Sequence, residues 1–370
     1  MTDLPALLHG HVEAGTFPGA VALVAHGDRV ETAVAGSTAF GGPAMEPGTL
    51  FRVASVSKPI VTAAAMLLVE DGRLRMDAPI AEWLPELAAP VVVREPAGPV
   101  DDVVPAARPI TVADVLTYRC GWGFPDDFSL PALGPLFALT PDTGGGAADN
   151  EAWLKGMAAV PLLRQPGEGW LYNTSGDLLG VLIARASGQS LPGFCAERVF
   201  APLGMSDTGF HVAAADLGRL ATAYTPAADG TLEPVTPGGE PTAPPSFPSG
   251  AGGLVSTLGD LHTWARALLT GGLLTPASVR AMTTDHLTPA QRASATLFLE
   301  GQGWGFGGSV DVVPAEPWNV PGRYGWVGGS GTTWHVIPST GTITIMLTQR
   351  AMTGPAPTPW MRDFWRYAAS

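Results

Sequence analysis

Both ends of the chain carry strand patterns, and this feature limits the possible folds more than any other. Residues 19–36, GAVALVAHGDRVETAVAG, form two β-branched, alanine-rich runs around a Gly-Asp pair, which predicts a β-hairpin. Residues 332–350 contain a second pair of runs, TTWHVIPST and TITIMLTQR. Because an isolated hairpin is only marginally stable, we expect both chain ends to join one antiparallel sheet covered by helices.

Between the two ends the hydrophobic periodicity becomes helical. Residues 177–188, DLLGVLIARASG, and residues 258–272, LGDLHTWARALLTGG, have apolar side chains at the spacing of an amphipathic helix. The sequence therefore predicts an α/β (α+β) fold. We expect a discontinuous sheet lobe, residues 1–75 and 248–370, and an inserted helical and loop lobe, residues 76–247, with the active site between the lobes.

Length and charge exclude several classes of function. A chain of 370 residues can bury a large core. Its 33 acidic and 20 basic residues give a formal net charge of −13, which repels nucleic acid and anionic membrane surfaces. The start, MTDLPALLHGHVEAG, lacks the basic and apolar regions of a secretory signal, so we expect a cytoplasmic protein. Cys120 and Cys195 lie outside any paired-cysteine metal motif and are interpreted as core residues.

The segment FRVASVSKPIVTAAAMLLVEDGRL, residues 51–74, contains one of the chain's two lysines, Lys58. A desolvated lysine can lose its proton and act as a base, which arginine cannot do. Ser55 lies three residues earlier and shares a helix face with Lys58, which is the pattern of a serine nucleophile with a lysine base. A helix-capping serine followed by a solvated lysine is the alternative interpretation.

Pro59 and Gly72 indicate the ends of the helix that carries this pair. Proline is tolerated in a first turn, and glycine commonly stops a helix at its C-terminus. Ser55 is therefore expected at the helix start. There, unpaired amides and the positive end of the helix dipole favour a developing alkoxide and disfavour a protonated lysine.

Three further segments make a family resemblance visible: QPGEGWLYNTSGDLLGVLIARASG, SFPSGAGGLVSTLGDLHTWARALL and YGWVGGSGTTWHVIPSTGTITIMLTQ. Together with LFRVASVSKPI they resemble the serine β-lactamase and penicillin-binding-protein superfamily, most closely the class C β-lactamase-like esterases called family VIII carboxylesterases. The resemblance extends from Phe17 to Gln349 with the motifs in the expected order. It implies an antiparallel sheet with flanking helices and a helical lobe, with the active site between them.

The resemblance implies a role for the residues of the first two motifs. Ser55 would be acylated with Lys58 as its partner, and Tyr172 would share the proton transfer. A tyrosine whose hydroxyl simply bonds to the backbone remains the alternative. The family's usual Tyr-x-Asn reads Tyr172-Asn173-Thr174 here, so we expect either the Asn173 amide or the Thr174 hydroxyl to reach the substrate. An alignment anchored at LLG would put Leu171 in place of the tyrosine.

The third motif departs from the family's Lys-Thr-Gly or His-x-Gly and reads Trp326-Val327-Gly328. Tryptophan at this position suggests contact with an apolar acyl or alcohol group. Gly328 would contact the substrate, and the resemblance makes the Gly329 N–H the partner of the Ser55 N–H in an oxyanion hole.

Two arginines near the third motif could replace the missing cation. Arg323 and Arg350 are close to it in sequence, and no lysine follows Lys155.

Aromatic residues cluster in segments expected near the cleft. We predict Trp122 and Trp304 to be substrate-binding, while core packing and an acyl pocket remain equally open for the whole set. The set is Trp122, Phe124, Phe128, Trp304, Phe306 and Trp326.

Two histidine sites offer rival chemistry. His335 could complete a Ser-His-Asp triad, but the chain has no Gly-x-Ser-x-Gly elbow. His9 and His11 could bind a metal, but they have no third ligand nearby in sequence.

The sequence thus predicts a serine hydrolase that needs no metal or cofactor and that cleaves small-molecule carboxylic esters of short to medium acyl chains through an acyl-enzyme on Ser55. A β-lactamase, a D-amino-acid peptidase or amidase, and an acyltransferase would use the same acyl-enzyme. A catalytically silent penicillin-binding-like module is the remaining alternative.

Overall fold

A computed structural model describes residues 3–140, 149–236 and 242–370. The described strands are β1 (Gly19–His26), β2 (Arg29–Gly36), β3 (Phe51–Arg52), β4 (Val91–Val93), β5 (Val103–Pro105), β6 (Ala223–Pro226), β7 (Leu232–Val235), β8 (Val255–Ser256), β9 (Gly303–Trp304), β10 (Ser309–Val310), β11 (Tyr324–Gly328), β12 (Thr332–Ile337) and β13 (Thr342–Thr348).

The described α-helices are α1 (Leu4–Glu13), α2 (Ser57–Glu70), α3 (Val112–Leu116), α4 (Leu133–Phe137), α5 (Asn150–Met157), α6 (Thr174–Ser187), α7 (Leu191–Cys195), α8 (Ala201–Leu203), α9 (Leu258–Thr270), α10 (Pro276–Thr283), α11 (Pro289–Ala293), α12 (Thr296–Leu299) and α13 (Pro359–Ala368). Short 3₁₀ turns cover Ala54–Val56, Ile80–Glu82, Pro85–Leu87 and Ala214–Arg219, and a π-turn covers Ala196–Phe200.

The central sheet is built from both ends of the chain, as the hairpin patterns predict. Its seven strands have the order β2-β1-β13-β12-β11-β10-β9, and all of the pairings are antiparallel. The N-terminal hairpin joins the C-terminal strands where β1 pairs with β13. Both predicted hairpins and the predicted fold class are therefore confirmed.

Both faces of the sheet are covered. Alternate β1 residues belong to two different hydrophobic clusters, because successive strand side chains point to opposite faces. Val21 and Leu23 lie in the cluster that contains most of α2, α6 and α9. Ala22 and Val24 lie in the cluster that contains α1 and α13. The sheet is thus a middle layer, and α2 lies in the layer that α6 and α9 share.

The 3₁₀ turn Ala54–Val56 leads directly into α2 and places Ser55 just before the helix. Pro59 lies in the first turn, and Gly72, at φ +71°, follows the helix end, as predicted. Ala54 has φ +46°, a left-handed conformation that is strained for a residue with a β-carbon. The backbone therefore stores strain next to Ser55, and such strain is typical of functional sites.

The segments between β3 and β8 contain α3 to α8 and two small two-stranded sheets, β4-β5 and β6-β7. The division into lobes at residues 75 and 248 stays a prediction. Within the described parts of the chain, none of the helices has both the length and the apolar character needed to cross a bilayer.

Candidate active site

The structure brings Ser55, Lys58 and Tyr172 together at the N-terminal end of α2. Lys58 Nζ lies 2.8 Å from Ser55 Oγ, and Tyr172 Oη lies 2.8 Å from the same oxygen. The Lys58 ammonium also lies 4.7 Å from the centroid of the Tyr172 ring. Ser55 and Tyr172 are partly exposed, whereas Lys58 is only 1% exposed. A ligand can therefore reach the serine and the tyrosine from solvent, while the lysine lies beneath them.

Lys58 is held by neutral acceptors. Besides Ser55 Oγ, its Nζ donates to Asn173 Oδ1 at 3.0 Å and to the Ala251 carbonyl at 2.6 Å. The contacts with Asn173 and Ala251 fix the position of the amine, and the contact with Ser55 Oγ is the one along which a proton can move.

Asn173 meets Lys58 because the backbone makes an unusually tight turn there. Asn173 has φ +76° and ψ −66°, and the Thr174 N–H donates to the Tyr172 carbonyl at 3.1 Å. This is the rare and strained γ-turn with positive φ. It places the Tyr172 hydroxyl and the Asn173 amide on the same site although they are adjacent in sequence. Of the alternatives left open by the sequence, Asn173 is the residue that the structure places at the site.

The neighbours of this turn lie in the core. Thr174 is 4% exposed in the first turn of α6, and Leu171 is 2% exposed among apolar side chains. The tyrosine, and not Leu171, therefore occupies the position beside Ser55. An alignment anchored at LLG is wrong for this position because the tight turn shortens the path between the tyrosine and α6.

Sequence reasoning missed the Ala251 carbonyl and the residue that supports it. Asp177, buried in the first turn of α6, accepts from the Ala251 N–H at 3.1 Å and from Ser249 Oγ at 2.6 Å. Gly250 packs so closely that an added Cβ would lie 2.3 Å from the Gly176 carbonyl. The glycines of SFPSGAGG and the buried acid in SGDLLG were the available signals, but a backbone carbonyl as ligand has no side-chain pattern.

Trp326 is placed differently from the prediction. Its side chain is 3% exposed, packs edge-on against Trp304 with ring centroids 4.8 Å apart, and donates its indole N–H to Tyr172 Oη at 2.8 Å. The predicted apolar contact with substrate is therefore not available from this buried ring. The tryptophan instead acts on Tyr172, as a hydrogen-bond donor from behind.

The glycines after Trp326 lie beside the segment that leads to Ser55. A Cβ on Gly328 would lie 2.3 Å from the Val53 carbonyl, so only glycine fits. Thr332 Oγ1 also donates to this carbonyl at 2.9 Å, which connects the start of β12 to the segment before Ser55. Gly329 is exposed, and open space surrounds its Cβ position. The pairing of the Gly329 N–H with the Ser55 N–H in an oxyanion hole stays a prediction.

The predicted aromatic set divides into two groups. Trp122, Trp304 and Phe306 are at most 4% exposed, so the prediction that Trp122 and Trp304 bind substrate does not agree with their burial in the core. Trp122 also donates its indole N–H to the Val160 carbonyl at 2.9 Å. Phe124 is partly exposed and Phe128 is 43% exposed.

The residues expected to supply a cation or a rival base lie elsewhere. Arg323 is buried over the Trp365 ring with Asp311 at 3.6 Å, and burial lowers its pKa to about 10. Arg350 Nη1 donates to the Thr16 carbonyl at 3.1 Å. Neither arginine is oriented by a contact with the Ser55 cluster.

His335 hydrogen-bonds Thr333 Oγ1 at 3.1 Å, and burial together with Arg323 lowers its pKa well below the usual value. It does not complete a triad with Ser55, whose oxygen bonds to Lys58 and Tyr172. His9 Nδ1 bonds to the Pro5 carbonyl. Within the three described ranges, no cluster of three side chains could hold a metal ion.

Comparison with known proteins decides the family. A family model described as Beta-lactamase matches residues 4–364. The chain belongs to the β-lactamase family. The resemblance predicted from four motifs is thereby confirmed, and with it a serine hydrolase that works through an acyl-enzyme.

Two relatives and one solved structure show which members of the β-lactamase family this chain is similar to. An uncharacterized Mycobacterium tuberculosis protein is 38% identical over 83% of this chain and 79% of its own length. Esterase EstB of Burkholderia gladioli is 31% identical over 91% of this chain and 88% of its own. The structure of EstCE1, described as a hydrolase with promiscuous acyltransferase activity, has a TM-score of 0.81 and 27% identity, covering 98% of this chain and 96% of EstCE1. The chain is thus similar over most of its length to an esterase and to a hydrolase with promiscuous acyltransferase activity.

Removing the Tyr172 hydroxyl tests its place in the β-lactamase-family site. In Tyr172→Phe, Ser55 Oγ loses its bond to the tyrosine, so we expect the acylation rate to fall by about 10². The buried Trp326 N–H also loses its acceptor, which costs about 1–3 kcal/mol of unfolding free energy. Stopped-flow burst kinetics with a p-nitrophenyl ester measure the first effect, and thermal unfolding measures the second.

Trp326→Phe is the matched control. It removes the hydrogen bond between the Trp326 N–H and Tyr172 Oη but keeps the bond between the tyrosine hydroxyl and Ser55 Oγ. We expect a loss of acylation rate of only about tenfold. Equal losses in the two variants would show that Tyr172 acts only as a packing partner of Trp326.

Proposed function

We propose that this protein hydrolyses carboxylic esters with short to medium acyl chains through an acyl-enzyme on Ser55. The observation that carries the proposal is the position of Ser55 Oγ, 2.8 Å from both Lys58 Nζ and Tyr172 Oη at the start of a buried helix. A capping serine or a solvated lysine would need neither contact. The similarity to Esterase EstB supports an ester as the substrate.

The arrangement supports acylation in the following way. Ser55 Oγ bonds to the ester carbonyl carbon while its proton passes to the amine of Lys58. The carbonyl oxygen becomes an oxyanion, which the N–H groups of Ser55 and Gly329 stabilise. When the bond between the acyl carbon and the alcohol oxygen breaks, that oxygen takes a proton from Tyr172, and Lys58 returns a proton to the tyrosine.

Deacylation reverses these steps with water. A water molecule gives one proton to Lys58 as its oxygen attacks the acyl carbon, and Ser55 Oγ regains this proton as the acid leaves. Asn173 and the Ala251 carbonyl keep the amine in place throughout.

Mass spectrometry tests this proposal directly. Incubation with a serine-reactive fluorophosphonate should add one label to the peptide that contains Ser55, and p-nitrophenyl butyrate should give a burst of nitrophenol. A label on another serine contradicts the assignment. A protein that takes no label and shows no burst would be a silent binding module.

Acyl transfer is a second candidate function. The EstCE1 structure, whose description includes promiscuous acyltransferase activity, supports it. An alcohol in the position of the hydrolytic water would take the acyl group from Ser55. Adding an alcohol to the p-nitrophenyl butyrate reaction and quantifying the new ester against butyric acid separates transfer from hydrolysis.

Esters are expected to be better substrates than β-lactams. The third motif presents a buried tryptophan where the family often has a lysine, and Arg323 and Arg350 have other partners. A β-lactam carboxylate would lose hydration without gaining a cation. We expect kcat/KM for p-nitrophenyl esters of short acids to exceed that for penicillins by at least about 10³, or roughly 4 kcal/mol.

Nitrocefin hydrolysis, measured beside that of the p-nitrophenyl esters, tests this difference. Wild-type protein that hydrolyses nitrocefin as fast as the esters would show that another group already pairs with the carboxylate.

A further inference from the structure

Four phenylalanines form a continuous aromatic surface beside Tyr172, and we call it the phenylalanine wall. It comprises Phe124, Phe128, Phe137 and Phe298. Phe298 stacks on the Tyr172 ring with centroids 4.6 Å apart, and Phe128 lies 6.0 Å from Phe298. Phe124 and Phe137 stack at 5.3 Å, and both contact Phe128. Phe298 is only 6% exposed and lies beneath the wall, so the accessible side of the wall is formed by Phe124 and Phe137, which are partly exposed, and by Phe128, which is 43% exposed.

Two sets of hydrogen bonds hold the separate chain segments of the wall together. Phe124 and Tyr172 pair through two backbone hydrogen bonds of 2.9 Å, and this pairing requires Gly123, whose Cβ would lie 2.6 Å from the Tyr172 carbonyl. Asp126 Oδ2 accepts from Thr296 Oγ1 at 3.0 Å and from the Leu297 N–H at 3.1 Å. The carboxylate therefore joins the loop that carries Phe124 and Phe128 to the helix that carries Phe298.

The proposed proton path determines which half of an ester lies against the wall. The departing alcohol oxygen must take its proton from the group that is accessible in the cleft. Lys58 is 1% exposed beneath Ser55, whereas Tyr172 is partly exposed. The alcohol oxygen must therefore lie within hydrogen-bond reach of Tyr172 Oη. Its carbon substituent then lies beside the loop of Phe124 and Phe128, which pairs with the backbone of Tyr172.

The chemistry of the wall indicates an apolar and uncharged alcohol. Aromatic faces bind another ring through stacked or edge-on contacts worth about 0.5–1.5 kcal/mol beyond the burial of area. Asp127, fully exposed next to Asp126, accepts from the Ser129 N–H and hydroxyl, and these bonds hold its pKa below the usual value. The loop thus carries negative charge beside Phe128, which disfavours an alcohol that bears a carboxylate.

Resting on the proposed ester hydrolysis, we infer that the phenylalanine wall binds the alcohol half of the substrate and selects aryl-alkyl alcohols, with Asp126 as the positioning residue that holds the wall together. The acyl half lies on the other side of the scissile bond and does not contact the wall.

Two series of esters test this inference. In the first, the acyl group is always acetyl and the alcohol is 2-phenylethanol or butanol. In the second, the alcohol is always ethanol and the acyl group is acetyl or hexanoyl. We expect Phe128→Ala to lower the kcat/KM ratio of 2-phenylethyl acetate to butyl acetate by about fivefold or more and to leave the acyl-series ratio unchanged. Phe40→Ala, which removes a phenylalanine that is 54% exposed and packs on Tyr224, is the matched control and should leave both ratios unchanged.

Asp126 is tested by rescue. We call the kcat/KM ratio of 2-phenylethyl acetate to butyl acetate the alcohol ratio. Asp126→Ala should lower the alcohol ratio as Phe128→Ala does. Asp126→Asn keeps an acceptor oxygen for Thr296 and Leu297 and should therefore keep the wild-type alcohol ratio. A purely structural role would lower the unfolding temperature of Asp126→Ala without changing the alcohol ratio. A change of the acyl ratio instead of the alcohol ratio in Phe128→Ala would overturn the inference.

An error in the proposed ester hydrolysis would give a result that differs from an error in the inference about the wall. If the wild type neither releases alcohol nor acylates Ser55, ester hydrolysis is wrong. Binding of 2-phenylethanol by ligand-observed NMR then still tests the wall. Binding that is lost in Phe128→Ala and kept in Phe40→Ala supports the surface, and equal binding to both variants overturns it.

Discussion

Ser55→Ala is expected to lower kcat/KM for p-nitrophenyl esters by at least about 10⁴ and to abolish the burst of nitrophenol, because no other hydroxyl can form the acyl-enzyme. The fold should change little, since Ser55 is partly exposed and its removal leaves Lys58 bonded to Asn173 and Ala251. Steady-state kinetics, burst amplitude and intact-protein mass after substrate addition measure the effect.

Ser57→Ala is the matched control for this variant. Ser57 lies two residues further along the same segment, is fully buried, and accepts from the Leu254 N–H at 3.0 Å. Its loss should cost about 1–3 kcal/mol of stability by leaving that N–H unpaired, while the burst amplitude is retained. Full activity in Ser55→Ala, or loss of the burst in Ser57→Ala alone, would contradict the assignment of the nucleophile.

Lys58→Arg should reduce kcat by at least about 10², nearly as much as Lys58→Ala, although it keeps the positive charge. A guanidinium cannot release its proton, and the site gives Nζ three acceptors at 2.6–3.0 Å in a space that leaves the side chain 1% exposed. Single-turnover kinetics measure the acylation step, and thermal unfolding shows how much of the loss comes from packing.

Lys155→Arg provides the comparison for this substitution, because the other lysine of the chain is exposed on α5. It should leave both activity and unfolding temperature unchanged. If Lys58→Arg keeps half of the wild-type activity in a stable protein, Lys58 contributes only its charge, and Tyr172 alone moves the proton.

Local sequence patterns were sufficient for much of the fold. The strand alternation around residues 19–36 and 332–350 predicted the hairpins, and the helical spacing of residues 177–188 and 258–272 predicted α6 and α9. These predictions succeed because strand and helix periods depend on neighbours within a few residues. That both chain ends share one sheet also follows, because neither hairpin is stable alone.

Some contacts of the site join residues close in sequence, and others join residues far apart. Ser55 and Lys58 are three residues apart on one helical turn, so their contact follows from sequence alone. The contact between Lys58 and Asn173 spans 115 residues, and the one with Ala251 spans 193. Whether Asn173 or Thr174 faces the lysine depends on a positive φ that no sequence period encodes.

The sequence by itself determined the family, and it predicted that Ser55, Lys58 and Tyr172 belong to one site, because each motif is carried by residue types at short and fixed spacing. Only the tertiary structure decided which tryptophans are exposed. Trp326 and Trp304 have the composition of a binding pocket, yet their packing behind Tyr172 makes them its support, while Phe298 reaches the tyrosine from a distant helix. The physical reason is that burial depends on how separate elements pack across the core, and an aromatic side chain suits a core and a pocket equally well.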